Sequence, residues 1–400
     1  MKRTFFLILF ALCFCTVDRA TAQATIGSLY APQPFSVLEL AGGGTRGFRL
    51  PQMNTIQRDA LTLTDKDAAR GLQLFNTCNG CVETWNGSKW IQQCPPEFFK
   101  PEMIDIAGGK FFIGAKLQDP SSGVPSSDPE TGSYQADISS FKMSKTEVTQ
   151  AQFEYVMGVN PSYFKCGNSE TDSHYAKSGA TSALPVEYVN CYDAIAYCNK
   201  LSILEGKTPC YTVQGVNFDT LTYKGVPHES NTNTDWDNAD CDFTKNGYRL
   251  PYEAEWEYAA RGGLKSQSNS GKNTFDYYFS GGNTACEVAW YSGNNYDSNT
   301  SYIDDCAGDY KNVYGTKPVA TKTANELGLH DMTGNVWEWT WSWYQQNYDS
   351  NNPHGSNSGT YRVSRGGRWS SVESECCVSD RHSNYPTDRG YGFGFRVVCK

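Results

Sequence analysis

The chain has 400 residues, a formal net charge of -9 and a pI near 5.2, with 14% aromatic residues and 15 cysteines. An acidic balance without lysine or arginine runs excludes the electrostatic footprint of a nucleic-acid or anionic-membrane binder. Beyond its opening segment no stretch is long and apolar enough to predict a membrane-spanning helix.

Met1-Lys2-Arg3, the apolar run Phe5 to Cys15 and the small residues Ala20-Thr21-Ala22 have the layout of a secretory signal, residues 1–22. The run is short of the ~20 residues of a spanning helix, and Asp18-Arg19 closes it. Cleavage after Ala22 predicts export to the periplasm, the cell surface or the exterior. In an exported chain the remaining cysteines argue for several disulfides, and their odd number leaves at least one thiol over.

Residues 23–96 predict a small β-rich module. Its clearest signal is Glu83-Thr84-Trp85-Asn86-Gly87-Ser88-Lys89-Trp90, an Asn-Gly hairpin turn between short strands. Cys78 and Cys81 form a C-x-x-C with no helix after it, which favours a structural role over a redox one. The segment is similar to a short N-terminal module of secreted Bacteroidetes-type proteins, some of them adhesins or tail fibres. Pro95-Pro96 marks a stop before residues 97–400.

In that larger part, Met103 to Gly114 predicts two short strands around a glycine turn. Ile138 to Thr149 predicts a strand leading into a helix over Gln150 to Met157. A second helix follows the N-cap Asn190, with Cys191, Ala194, Ile195, Cys198 and Leu201 on one face. A third is expected within Arg249 to Gly263, Pro251 suiting its first position and the glycines its end. The Asn-, Ser-, Gly-, Asp- and Tyr-rich tracts between them are loops.

The most specific text is Gly328-Leu329-His330-Asp331-Met332-Thr333-Gly334-Asn335-Val336-Trp337-Glu338-Trp339-Thr340, followed by Arg362-Val363-Ser364-Arg365-Gly366-Gly367-Arg368-Trp369. It mixes glycine, amide, acid and tryptophan too densely for a plain helix or strand. With the helical strings above, it resembles the formylglycine-generating enzyme or sulfatase-modifying-factor family over roughly residues 98–400. The resemblance implies an α+β, C-type-lectin-like fold with little regular secondary structure, in which Trp339 and Arg381 are scaffold residues. It also implies structural calcium on the Gly334–Glu338 loop, with Asn335 and Glu338 as ligands, since a hard cation needs several oxygens at short range.

The family's activity converts a sulfatase cysteine to formylglycine with oxygen and a copper ion held by two thiolates, the soft donors that suit Cu(I). Here Arg368 replaces the serine of the family's Gly-Gly-Ser-aromatic string, Ser371 stands at the first cysteine position, and Cys376 stands at the second. A serine hydroxyl is no thiolate, and Cys377 on a strand points away from Cys376, so this pattern argues against the copper reaction. The resemblance further implies a Cys198–Cys399 disulfide, while Cys210 and Cys241 are candidates for a replacement staple. Arg368, Trp369, Tyr385 and Tyr391 lie where binding members of the superfamily display ligand surfaces. The expectation is therefore a non-catalytic exported protein with a protein or glycan ligand. The alternative is an oxidase acting on a sulfatase-type peptide with copper.

Overall fold

The computed structural model describes residues 39–41, 47–63, 65–67, 69–76, 80–94, 99–114, 134–165, 181–229, 233–264, 277–295, 306–307, 313–345, 352 and 355–400. The expected leader, Cys78, Cys166 and Pro95-Pro96 lie outside them. Internal contacts divide the chain into two units, Met1–Cys94 and Pro95–Lys400.

In the first unit, β1 (Glu39–Ala41) pairs with β2 (Gly47–Arg49). A four-stranded sheet has the order β3 (Gln52–Met53), β4 (Gln73–Asn76), β5 (Cys81–Trp85) and β6 (Trp90–Gln92), with α1 (Thr55–Asp59) after β3. The Asn-Gly hairpin forms as expected: Trp85 and Trp90 are register partners, and Gly87 takes φ 99° in the turn. Cys81 bonds to Cys94, which gives half of the C-x-x-C a structural use. Glu83, fully buried on β5, is neutralised by Arg58 of α1 at 2.8 Å.

The second unit runs β7 (Met103–Ile106), β8 (Gly109–Ile113), β9 (Tyr134–Ile138), β10 (Phe141–Ser144), α2 (Gln150–Met157), α3 (Cys191–Leu204), β11 (Tyr211–Thr212), α4 (Thr234–Asp237), β12 (Asp240–Cys241), α5 (Glu253–Ala260) and α6 (Ala285–Val288). It closes with β13 (Trp337–Trp343), β14 (Arg362–Arg365), β15 (Arg381–Asn384), β16 (Phe393–Gly394) and β17 (Val398–Cys399). The central sheet has the order β15-β14-β13-β16, and a second has β17-β10-β7.

The two strands expected around the Ala107-Gly108 turn are present but do not pair with each other. β7 joins β10 and β8 joins β9, so the turn carries the chain from one sheet to another. Gly108 permits this crossing, since a Cβ there would lie 2.4 Å from the Ile138 carbonyl oxygen.

Helix α2 starts with a capping box between Thr149 and Gln152 and stops at Gly158, whose φ is 74°. Helix α3 starts where expected, with the Asn190 side chain accepting from Asp193 N at 2.9 Å. The expected apolar face is buried, and so is most of the remaining circumference, where Phe153 and Phe395 pack on the helix's Tyr197. Helix α5 begins two residues later than expected: Pro251 precedes it, its carbonyl accepting from Trp341 N of β13.

Every residue of α5 is buried, including Glu253, Glu255 and Glu257. Glu253 takes two hydrogen bonds from Arg381 (2.9 and 2.7 Å) and faces Arg365 Nε at 3.2 Å. Glu255 takes a bidentate pair from Arg249, both at 2.6 Å. Glu257 meets Arg261 at 2.8 Å, the Gly114 amide at 2.9 Å and Arg365. Behind this row, Glu338 of β13 accepts from Trp256 Nε1 and from two nitrogens of Arg396, each at 2.7 Å. Buried carboxylates persist only when paired and hydrogen-bonded in this way, so α5 is riveted to three strands by charge as well as by apolar packing.

Candidate functional site

The loop after β14 is the place to look for the family chemistry. Gly366 and Gly367 take φ 95° and 77°, and a Cβ at Gly367 would come within 2.5 Å of Cys376 Sγ. The loop is pinned by Trp369 N to Asn335 O (2.8 Å) and by Gly334 N to Gly366 O (2.7 Å). Ser371 is buried, its hydroxyl accepting from Arg368 N at 3.2 Å, its carbonyl accepting from Ser292 N at 3.0 Å.

Cys376 ends a short 3-10 turn and is fully buried with Phe279, Val288, Tyr291 and Cys377. Burial pushes its thiol well above the usual range, and Cys377, Asp380, Glu375 and Glu373 push it further. Burial likewise raises Cys377 to about 12, with Asp380 and Glu373 adding to the effect. Both sulfurs are therefore held as thiols at neutral pH. Ser371 offers a hydroxyl already in use, so the donor set does not fit a copper(I) ion held by two thiolates. Among the described residues no cluster of three or more His, Cys, Asp or Glu side chains is arranged to hold a metal.

The two residues expected to bind calcium are engaged within the fold. Asn335, at φ 64°, accepts from Lys317 N (3.0 Å) and donates to Glu147 (2.8 Å). Both oxygens of Glu338 face Arg396. A cation bound by this pair would have to displace a guanidinium, so these two side chains do not fit a calcium site. They tie the loop together through hydrogen bonds instead.

The expected Cys198–Cys399 disulfide is corrected: both residues are free, buried thiols. Burial raises the Cys198 thiol, with Cys210, Cys241 and Cys191 raising it further, whereas at Cys399 Lys207 and Lys142 oppose the rise that burial causes. Cys210 and Cys241 are also free. Cys241 lies opposite Tyr211, and Asp242 N bonds to Cys210 O, so the two thiols fall on opposite faces of the β11–β12 ribbon. A second disulfide that the sequence did not suggest joins Cys286 to Cys306.

Of the scaffold residues, Arg381 clamps Glu253, and Trp339 is wholly buried with Nε1 on Val189 O at 3.1 Å. Of the expected surface residues, Trp369 and Tyr391 come together, the Trp369 Nε1 donating to Tyr391 O at 2.9 Å. Arg368 lies against Gly392, where a Cβ would meet it at 2.3 Å. Tyr385 goes elsewhere, packing on Tyr361 with ring centroids 4.7 Å apart.

The sequence reading missed the rest of the aromatic surface. Tyr163 lies 4.3 Å from Tyr391, Phe164 5.5 Å from Trp369, Tyr188 5.5 Å from Tyr391, and Tyr314 4.7 Å from Trp369, all between ring centroids. Tyr391 and Tyr314 remain 46% and 39% exposed, so the cluster has a buried base and an open top. Arg389 lies over the Tyr188 ring at 5.0 Å. Tyr188 takes a φ of 64°, rare for an aromatic residue.

A family model, the sulfatase-modifying factor enzyme 1-like domain, matches residues 92–400. The chain belongs to this family. A second model, the phage tail like trimerisation region, matches residues 25–103. "Chaperone protein LppX" of Paenibacillus barcinonensis is 40% identical over 65% of this chain and 80% of its own length. The formylglycine-generating enzyme of Streptomyces coelicolor is 28% identical over 74% of this chain and 88% of its own. Among solved structures, Treponema denticola variable protein 1 has a TM-score of 0.58 at 31% identity, covering 82% of this chain and 99% of that one. CarF has a TM-score of 0.50 at 24% identity, covering 75% of this chain and 98% of that one. The fold is accordingly the C-type-lectin-like α+β fold of sulfatase-modifying factors.

Proposed function

We propose that this member of the sulfatase-modifying-factor family is exported and non-catalytic, and that it holds a polypeptide partner on the aromatic surface around Trp369 and Tyr391. The observation that carries this reading is a substitution of chemistry within one loop. Where the oxidase needs a thiolate, Ser371 is buried and hydrogen-bonded, while Trp369, two positions earlier, anchors a cluster of six aromatic rings. Rigid tyrosine and tryptophan rings give large contact area at low entropic cost, the usual composition of a protein-recognition surface. A polypeptide is preferred to a glycan because one relative bears the name chaperone. The match of residues 25–103 to a trimerisation region supports three copies presenting such surfaces together, which multiplies weak contacts.

Three measurements test the reading. The purified mature chain is incubated with copper(I), oxygen and a peptide carrying Cys-x-Pro-x-Arg, beside an active enzyme. Mass spectrometry is expected to find the cysteine unchanged, and formylglycine would overturn the proposal in favour of the oxidase. Binding to a peptide array and a glycan array is then compared for the wild type and Tyr391→Ala. Peptide signals that disappear in the variant are expected; signals on glycans alone would reject the polypeptide assignment. Light scattering gives the copy number, with a trimer expected.

A further inference from the structure

We propose that Glu187 is a proton-controlled positioning residue for the aromatic surface: as a neutral acid it seats the Tyr163–Phe164 turn against Tyr391 and Trp369, and loss of its proton releases that turn. The recognition role proposed above gives this device its purpose, but the seating is read from the chain alone. Phe164 N donates to Glu187 Oε1 at 2.8 Å, and Glu187 N donates to Ser162 Oγ at 3.2 Å, so one residue grips the turn through side chain and main chain. The carboxyl is fully buried, and among the described residues its second oxygen, Oε2, has no hydrogen-bond partner. From α2, Gln150 holds the other side, its Nε2 donating to Phe164 O at 2.8 Å and its Oε1 accepting from Asn160 Nδ2 at 2.9 Å.

The charged surroundings are sparse. Among the described residues the charged side chain acting on Glu187 is Lys165, on the turn itself. Gln150 and Asn160 are neutral, and Leu184 and Val313 of the neighbouring cluster are apolar. At the same surface, Arg389 is engaged with the Tyr188 ring. An ionised carboxylate here would keep one oxygen without a donor, a costly arrangement for a buried charge. Burial therefore raises the Glu187 carboxyl to about 8, against the opposing pull of the Phe164 and Tyr163 amides and of Lys165. The Tyr163–Phe164 pair supplies two of the rings that meet Tyr391 and Trp369, so movement of this turn alters the surface directly.

The Phe164 amide reports the grip. Its hydrogen-exchange protection, corrected for intrinsic rates, is measured from pH 6.5 to 9.5 in the full mature chain and in Glu187→Gln, which keeps an acceptor oxygen without the titration. The wild type is expected to lose up to about tenfold per pH unit until about pH 8, because the released carboxyl gives up its proton at its ordinary value while the seated one still holds it, and to level off above that. Glu187→Gln is expected to stay flat. A flat wild type, or an equal loss in the variant, overturns the proposal. Should the variant fail to fold, carbon-13 titration of the Glu187 carboxyl in the wild type decides, and a midpoint below 6 rejects it. Neither readout involves a partner, so failure of the recognition proposal leaves this test intact.

Discussion

Helix α5 and the aromatic surface sit in the same unit and use opposite physical means. Around α5, carboxylates are buried one by one against arginines from β14, β15 and the segments flanking the helix. Around Trp369 and Tyr391, aromatic rings are clustered face-on and edge-on, with Tyr391 and Tyr314 left open to solvent. Paired buried charges fix geometry and leave nothing for a partner to engage. Open rings leave contact area unsatisfied, which is what a recognition surface requires. The contrast teaches that the scaffold strings which mark the family belong to the first region. The resemblance places the family's reaction on the loop after β14, where Ser371 stands at the first cysteine position.

The largest effect is expected from breaking the charged layer. Glu338→Ala leaves Arg396 and the Trp256 indole N–H buried without their acceptor and should cost ~3–5 kcal/mol in chemical denaturation. A loss below about 1 kcal/mol would show that the layer does not organise the fold.

Gly367→Ala tests the loop that joins the regions. It forces a side chain onto a φ of 77° and against Cys376 Sγ, and is expected to destabilise by ~2–4 kcal/mol. A neutral result would mean that the loop adapts freely.

A smaller, pH-dependent effect distinguishes the charged layer from an inert one. Burial raises the Asp331 carboxyl to about 6, and among the described residues its Oδ1 has no hydrogen-bond partner. Between its ordinary value near 3.8 and about 6, the folded state holds a proton that the unfolded state has released. Stability conferred by this group is thus greatest at the acid end and falls as pH rises through that window. Relative to Asp331→Asn, wild-type folding constants should drop by up to about tenfold per pH unit there and run parallel above it. Parallel curves throughout would reject the assignment.

The smallest change in stability is expected at the surface. Tyr391→Ala should shift unfolding by only about 1 kcal/mol while weakening peptide binding tenfold or more, as loss of an interface anchor does. A large stability loss without a binding defect would move Tyr391 from the recognition surface to the core.

The sequence was most legible where the signal is local. The Asn86-Gly87 hairpin, the Asn190 cap and the Thr149–Gln152 helix start all depend on residues within a few positions of one another. The absence of the thiolate pair was equally legible, because Ser371 and Cys376 are read directly from the text. Disulfide pairing was not, since which cysteines come within bonding distance depends on packing. The expected calcium ligands were real loop anchors, but only the fold placed Arg396 on Glu338 and Glu147 on Asn335.

By itself, then, the sequence determined the family, the serine at the first cysteine position and the starts of α2 and α3. Tertiary structure decided the partner of every buried charge and gathered Tyr163, Phe164, Tyr188, Tyr314, Trp369 and Tyr391 into one surface. The reason is physical: caps and turns are settled by neighbouring backbone atoms. Ion pairs and ring clusters are settled by which distant segments the hydrophobic core brings within a few ångströms.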